Sequence, residues 1–163
     1  MITDWFVALF EALPGPLAVI ALAFSPVGEV RISVPVAILV YHMSWGEAVV
    51  WSLLGNLAVA PAAAWVYRAG ERGLRRWERG ARVLDRVYAR TRSRQSARIE
   101  RLEEAAVALF IAVPVPGSGA WAGVLVAHVF GLTWKKAWSY YYAGVVAATF
   151  LVTVLVETGR WAL

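Results

Sequence analysis

The sequence predicts an all-α polytopic membrane protein made of two inverted repeats, each a re-entrant helical hairpin followed by a transmembrane helix. Three observations predict it. Hydrophobic residues make up 60% of the 163 residues, charged residues 17%, and the mean hydropathy is +0.60. Soluble domains run at roughly 45–50% apolar and about 25% charged, and one this small cannot hide so much apolar surface. The same numbers exclude disorder. Charge is also segregated, because residues 68–104 hold 12 of the 16 basic and 6 of the 11 acidic residues. Finally, proline and glycine break the uncharged stretches at corresponding places in the two halves.

The length suits one membrane domain: repeat one at about 13–67, an Arg-rich amphipathic helix at about 68–96, and repeat two at about 97–157. Met1 to Phe10 carries Asp4 and no basic region, so no signal peptide is expected. The uncharged stretches are Ala12–Gly28, Ile32–Gly46, Ala48–Tyr67, Ala105–Trp134 and Ala137–Val156. A helical crossing needs about 20 residues, which Ala48–Tyr67 and Ala137–Val156 supply. Pro14-Gly15-Pro16 breaks the first stretch and Ser25-Pro26-Val27-Gly28 ends it. Pro114-Val115-Pro116-Gly117-Ser118-Gly119 splits the fourth. The pieces are too short to cross, but they can enter and return as hairpins whose tips are buried or line a wet cavity.

A shift of 89 residues lays Gly28 on Gly117, Trp45 on Trp134, Ala48 on Ala137, Gly55 on Gly144 and Ala58 on Ala147. Each half reads as broken tip, short helix, Trp, full crossing. Gly46-Glu47 follows the first Trp and Lys135-Lys136 the second. Positive residues stay on the cytoplasmic side, so the halves are expected to be inverted. Residues 68–104 are then cytoplasmic, both tips reach the midplane of the inner (cell) membrane, and both chain ends lie outside.

Within the Arg-rich segment, Leu74, Trp77, Ala81, Leu84 and Tyr88 share one helical face. Arg72, Arg75, Arg79, Arg82 and Arg86 share the opposite one. This describes a helix packed on the protein or lying on anionic headgroups. Nucleic acid is not expected, since both aromatics sit on the apolar stripe. Thr91–Ser96 reads as a break, with a new helix near Ala97.

The chemistry is expected at the tips. Glu29 and Arg31 are charges at membrane depth, which line polar paths or pair. One reading has Glu29 capping a half-helix with Arg31 balancing it. The other has Arg31 receiving an anion and Glu29 carrying a proton. The second tip, Pro114 to Trp121, offers bare backbone: Pro114 and Pro116 remove N–H groups, Gly117 and Gly119 permit close approach, and a helix restarts at Ala120. Ser118 is either a plain N-cap or part of an anion site. Asn56, beside Pro61 in a full crossing, either bonds to a tip or joins helices. His128 reads as a packed or interfacial histidine rather than a proton relay. Tyr140, Tyr141 and Tyr142, near Trp134 and Trp138, read as an interfacial belt.

No enzyme is expected. A Ser118–His128 dyad fails because ten helical residues rise about 15 Å, against the roughly 3.2 Å a nucleophile and base require. Zero cysteines and two histidines exclude disulfides, Cys-based zinc sites, thiol catalysis and multi-His metal sites. No cofactor and no nucleotide motif are expected. The expected partners are the bilayer, an amphipathic or lipid substrate, protons and, because two crossings and two hairpins make a thin wall, a second copy as homodimer.

Gly28-Glu29-Val30-Arg31 followed by Pro35, then Gly55-Asn56 and Pro61, then Pro114–Trp121 with Gly123, resemble the small multidrug export protein family. That family is similar to the DedA/VTT superfamily of membrane transporters. The resemblance spans about Leu13 to Val156. It implies re-entrant hairpins, inverted repeats and lipid or proton-coupled transport, with recycling of polyprenyl-phosphate carriers in DedA proteins and lipid scrambling in eukaryotic relatives. This chain departs from DedA after the second tip, where Ser118 and Ala120 stand and no arginine follows. Glu29 and Arg31 are the charged positions the resemblance transfers. The function expected is a transporter or flippase for an amphipathic, anionic-headed substrate. A small multidrug (drug/proton) exporter is the alternative, and a membrane-embedded enzyme or structural adaptor the second.

Overall fold

The computed structural model describes residues 13–92, 97–113, 119–129 and 134–161. Among the described residues seven α-helices follow one another: α1 (Gly15–Phe24), α2 (Glu29–Pro35), α3 (Trp45–Arg75), α4 (Glu78–Arg92), α5 (Ala97–Ala112), α6 (Ala120–Val129) and α7 (Trp134–Trp161). A π-helical segment, Val36–Val40, extends α2.

Two compact units divide the chain, Met1–Ala58 with Val146–Leu163 as the first and Val59–Val145 as the second. The first has a core of Val19, Val30, Val34, Ala37, Ile38, Ala48, Ala148 and Val152. In the second, Val107, Ile111, Ala120, Val124, Ala127, Ala137, Tyr141 and Val145 are buried.

Local chemistry sets the boundaries. Pro14 caps α1 and Pro16 occupies its first turn, where no intrahelical N–H is needed. The Pro14-Gly15-Pro16 break is thus a helix start. Pro35 cannot donate to the ladder, and the register slips after it: Tyr41 N–H reaches Val36 O, five residues back, at 3.1 Å. The segment stops at His42, whose φ is +52°. A capping box starts α3, with Ser44 Oγ 2.8 Å from Glu47 Oε2 and Glu47 N–H 3.3 Å from Ser44 Oγ. Pro61 lies inside α3 without ending it.

The long helices α3 and α7 contain the two candidate spans, Trp45–Arg75 and Ala137–Gly159. They begin on the matched tryptophans. Fewer than half of the residues in either apolar window are buried, while Val50, Leu54, Trp65, Phe150, Val154 and Leu155 stand exposed. A core helix of a soluble protein would be mostly covered. With the composition, this makes the chain a membrane protein.

The Arg-rich stripe is interrupted. Helix α3 runs on to Arg75, a turn at Arg76–Trp77 follows, and α4 begins at Glu78. Leu74 and Trp77 are exposed at that corner, so only Ala81, Leu84 and Tyr88 continue the apolar face along α4. The helix expected near Ala97 starts there. Residues 93–96 fall outside the described residues. The tyrosines do not form a uniform belt, since Tyr141 is 3% exposed. Its ring meets Tyr142 edge-on at 5.2 Å, and Tyr142 meets Trp138 likewise at 5.6 Å.

Candidate functional site

The first tip is built by the turn between α1 and α2. Ser25 Oγ donates to Leu22 O at 2.9 Å and accepts the Gly28 N–H at 2.8 Å. A Cβ on Gly28 would collide with the Leu22 carbonyl and stand 2.7 Å from Ser25 Oγ, so only glycine lets the turn close. Pro26 lies within it. The chain then enters α2 through Glu29, whose φ is +43°. Left-handed backbone costs a non-glycine residue about 1–2 kcal/mol, and such strain gathers at binding and switching sites.

The Glu29 side chain is 7% exposed, and its Oε2 lies 3.5 Å from Arg31 Nη1, on a side chain 20% exposed. That separation is long for a hydrogen bond. Coulomb attraction, strengthened by low local polarity, holds the pair. One turn further, Ser33 Oγ donates to Ser52 Oγ of α3 at 2.9 Å. One turn along α3, Asn56 Nδ2 donates to the Ser52 carbonyl at 3.3 Å. On α7, Thr153 Oγ1 donates to the Thr149 carbonyl at 2.8 Å.

Glu29, Ser33, Ser52, Asn56, Thr149 and Thr153 are the buried polar or charged side chains among the described residues, and all lie in the first unit. The buried side chains described in the second unit are hydrophobic. The first unit therefore holds a carboxylate that can take a proton or a cation and a guanidinium that can hold an anion. Neutral hydroxyl and amide groups are buried in the same unit.

Glu29 and Arg31 come together as a pair. The hydrogen bond from Asn56 to the carbonyl of Ser52 stays within α3, and it is the Ser52 hydroxyl that reaches α2 at Ser33. Of the second tip, Pro114, Pro116, Gly117 and Ser118 lie outside the described residues. Gly119 is buried, and its carbonyl accepts the Gly123 N–H at 2.7 Å. The Trp121 carbonyl accepts from Tyr67 OH at 3.0 Å. Ser33, Ser52, Thr149 and Thr153 were not anticipated. The signal was spacing: Ser33 is four residues after Glu29 and Ser52 four before Asn56, so each pair shares a helix face. His128, expected as a packed or interfacial ring, is part-buried and approaches Glu71 and Tyr88.

A family model described as "Putative small multi-drug export protein" matches residues 29–151, from Glu29 into α7. No curated protein and no solved structure matches the chain.

Proposed function

The chain belongs to the small multi-drug export protein family, and on that premise we propose that it is a transporter, rather than an enzyme, moving an amphipathic, anionic-headed, lipid-like substrate past the Glu29–Arg31 tip. The observation that carries this reading is a buried ion pair on a strained turn between two short helices. α1 has 10 residues and rises about 15 Å, half of a hydrocarbon core about 30 Å thick. A hairpin of such helices enters and returns. Charge at that depth is costly unless it lines a path or meets a ligand, and Arg31 supplies the cation an anionic head requires.

The inverted repeat is proposed on the same grounds. α3 and α7 start on tryptophans 89 residues apart. Gly55 packs on the Ile20 carbonyl of α1 and Gly144 on the Ala108 carbonyl of α5, so each matched glycine receives the helix two before its own. We place residues 68–104 in the cytoplasm of a cell carrying the protein in its inner membrane.

A second reading, export of a lipophilic cation against protons, is favoured by the family's description and by Glu29 as a buried carboxylate. Liposomes holding the protein decide between them when labelled phospholipid, polyprenyl phosphate and a cationic dye are compared with and without a pH gradient. Movement of an anionic-headed lipid supports the first reading and movement of the dye alone the second. If none moves, transport fails.

The transporter is proposed to act as a homodimer, because two spans leave much apolar helix surface uncovered. Crosslinking in native membranes is expected to give a dimer band, and a monomer band alone contradicts it.

A further inference from the structure

In the second unit, helices α3, α4 and α6 meet at a cluster of titratable side chains centred on Glu71, near the end of α3. Glu71 Oε1 accepts from Arg75 Nε at 2.9 Å. Its Oε2 accepts from Tyr88 OH of α4 at 3.0 Å and lies 3.1 Å from Nε2 of His128, at the end of α6. Tyr88 OH is itself 3.4 Å from that nitrogen. Arg75 reaches on to Asp85 Oδ1 at 3.1 Å, and its guanidinium stands 5.9 Å from the Tyr88 ring centre. The Tyr67 ring is 6.4 Å from the imidazole. A cavity of about 400 Å³, lined by Glu71, Arg75, Asp85, Tyr88 and Ala89, opens beside the cluster.

These contacts fix where hydrogens sit. A carboxylate held by an arginine and a phenol only accepts, so Nε2 of His128 carries a hydrogen directed at Glu71. Burial, and next the bond to Glu71, hold the Tyr88 phenol above its ordinary range, so the phenol keeps its hydrogen and stays a donor. The exchangeable proton is then the one on Nδ1. Adding it turns a neutral ring beside Glu71 into an imidazolium paired with a carboxylate. Removing it leaves one hydrogen bond and no ion pair. Arg75 and Asp85 oppose each other in both states, so the cluster alternates between two forms one charge apart. Histidine is the side chain suited to such a change near neutral pH. The change acts on the tie between α6 and its neighbours: Tyr67 holds the first turn of α6 at Trp121 and Glu71 holds its last at His128.

We propose that Glu71, His128 and Tyr88 form a proton-binding site, separate from Glu29, whose occupancy sets the rate of transport. The proposal rests on the transport reading for its consequence, but not for the site itself, and two readouts keep them apart. The first needs no substrate. With two histidines in the chain, ring-¹⁵N spectra in lipid nanodiscs can be assigned with His42→Asn and His128→Asn. As the solution is acidified, Nε2 of His128 is expected to stay protonated while Nδ1 gains its hydrogen. Glu71→Gln is expected to relax the single tautomer of His128 and leave His42 unaltered. A His128 ring that never gains the second proton, or one indifferent to Glu71→Gln, overturns the site.

The second readout is counterflow of labelled phospholipid and of a cationic dye at symmetrical pH, as the ratio of acid to alkaline rates. The wild type is expected to show a ratio differing from one by about tenfold, the scale of an ordinary coupling energy. His128→Asn and Glu71→Gln are expected to bring it near one. A ratio in either variant equal to the wild type's, or a wild type indifferent to pH, overturns the proposed control of rate. A wild type that moves neither probe defeats the transport reading, and the spectra then judge the proton site alone.

Discussion

Glu29→Gln is expected to abolish transport and leave the protein folded. The amide has the shape of the carboxylate and still accepts through one oxygen, so packing at the tip is retained although Arg31 loses its charged partner. What disappears is the negative charge 3.5 Å from Arg31 and the ability to take up a proton. Removing one partner of a buried charged pair costs about 2–5 kcal/mol, so a loss of about thirtyfold or more is expected. Arg31→Ala is also expected to be inactive, but it strands a buried carboxylate and is expected to cost about 3–5 kcal/mol of stability unless that group protonates. Arg31→Lys keeps the charge without the planar fork and distinguishes the two effects. Glu29→Gly separates chemistry from backbone: glycine accepts the +43° φ, so the turn relaxes while the carboxylate is lost. Initial rates in liposomes, with thermal melts in detergent, measure both quantities. A Glu29→Gln protein transporting within about twofold of wild type, a change below about 0.5 kcal/mol, removes Glu29 from the mechanism.

The same residues show what a linear reading can and cannot reach. Breaks set by backbone chemistry were legible. Proline lacks an N–H and glycine tolerates crowding wherever they sit, so the punctuation at Pro14, Gly28 and Trp45 could be placed without tertiary knowledge. The end of α3 was not. Charge after Tyr67 suggested a new element, yet residues 68–75 hold three arginines with one alanine, one glutamate and one leucine, good helix formers that carry the helix past two glycines, and leaving an apolar environment does not end a helix. The π-helical slip after Pro35 depends on how that segment packs and left no pattern. The tip itself was half legible. Two charges inside an apolar run announced Glu29 and Arg31. The Ser33–Ser52 bond joins residues 19 apart and the Glu71–His128 contact residues 57 apart, and no local period encodes either. His128 was read as packed or interfacial rather than as a proton relay, because its partners sit on two other helices.

Gly55→Val and Gly144→Val are expected to prevent correct folding, while Gly70→Ala is expected to stabilise the protein. All three glycines lie inside long helices, where glycine is about 0.5–1 kcal/mol worse than alanine. That cost is tolerated only where a side chain cannot fit. A Cβ on Gly55 would run into the Ile20 carbonyl and stand 2.6 Å from Ala23 Cβ. On Gly144 it would stand 2.7 Å from the Ala108 carbonyl and 2.9 Å from Ile111 Cβ. Those obstacles are backbone and short core side chains, which cannot swing aside. Overpacking ordinarily costs about 1–3 kcal/mol, and a branched side chain driven against a carbonyl is expected to exceed that range. Gly70 has nothing within 4 Å, so alanine there recovers the helix propensity alone. Opposite signs for chemically similar changes, read as melting temperature and monodisperse yield, test the close approach in each unit. They also test the repeat, because Gly55 and Gly144 are the 89-residue pair. If they are equivalent, Gly55→Ala and Gly144→Ala should lose similar stability, each retaining more folded protein than its valine counterpart. If one alanine variant is as stable as Gly70→Ala while the other collapses, the halves do not share that packing, and the proposed symmetry loses its structural support.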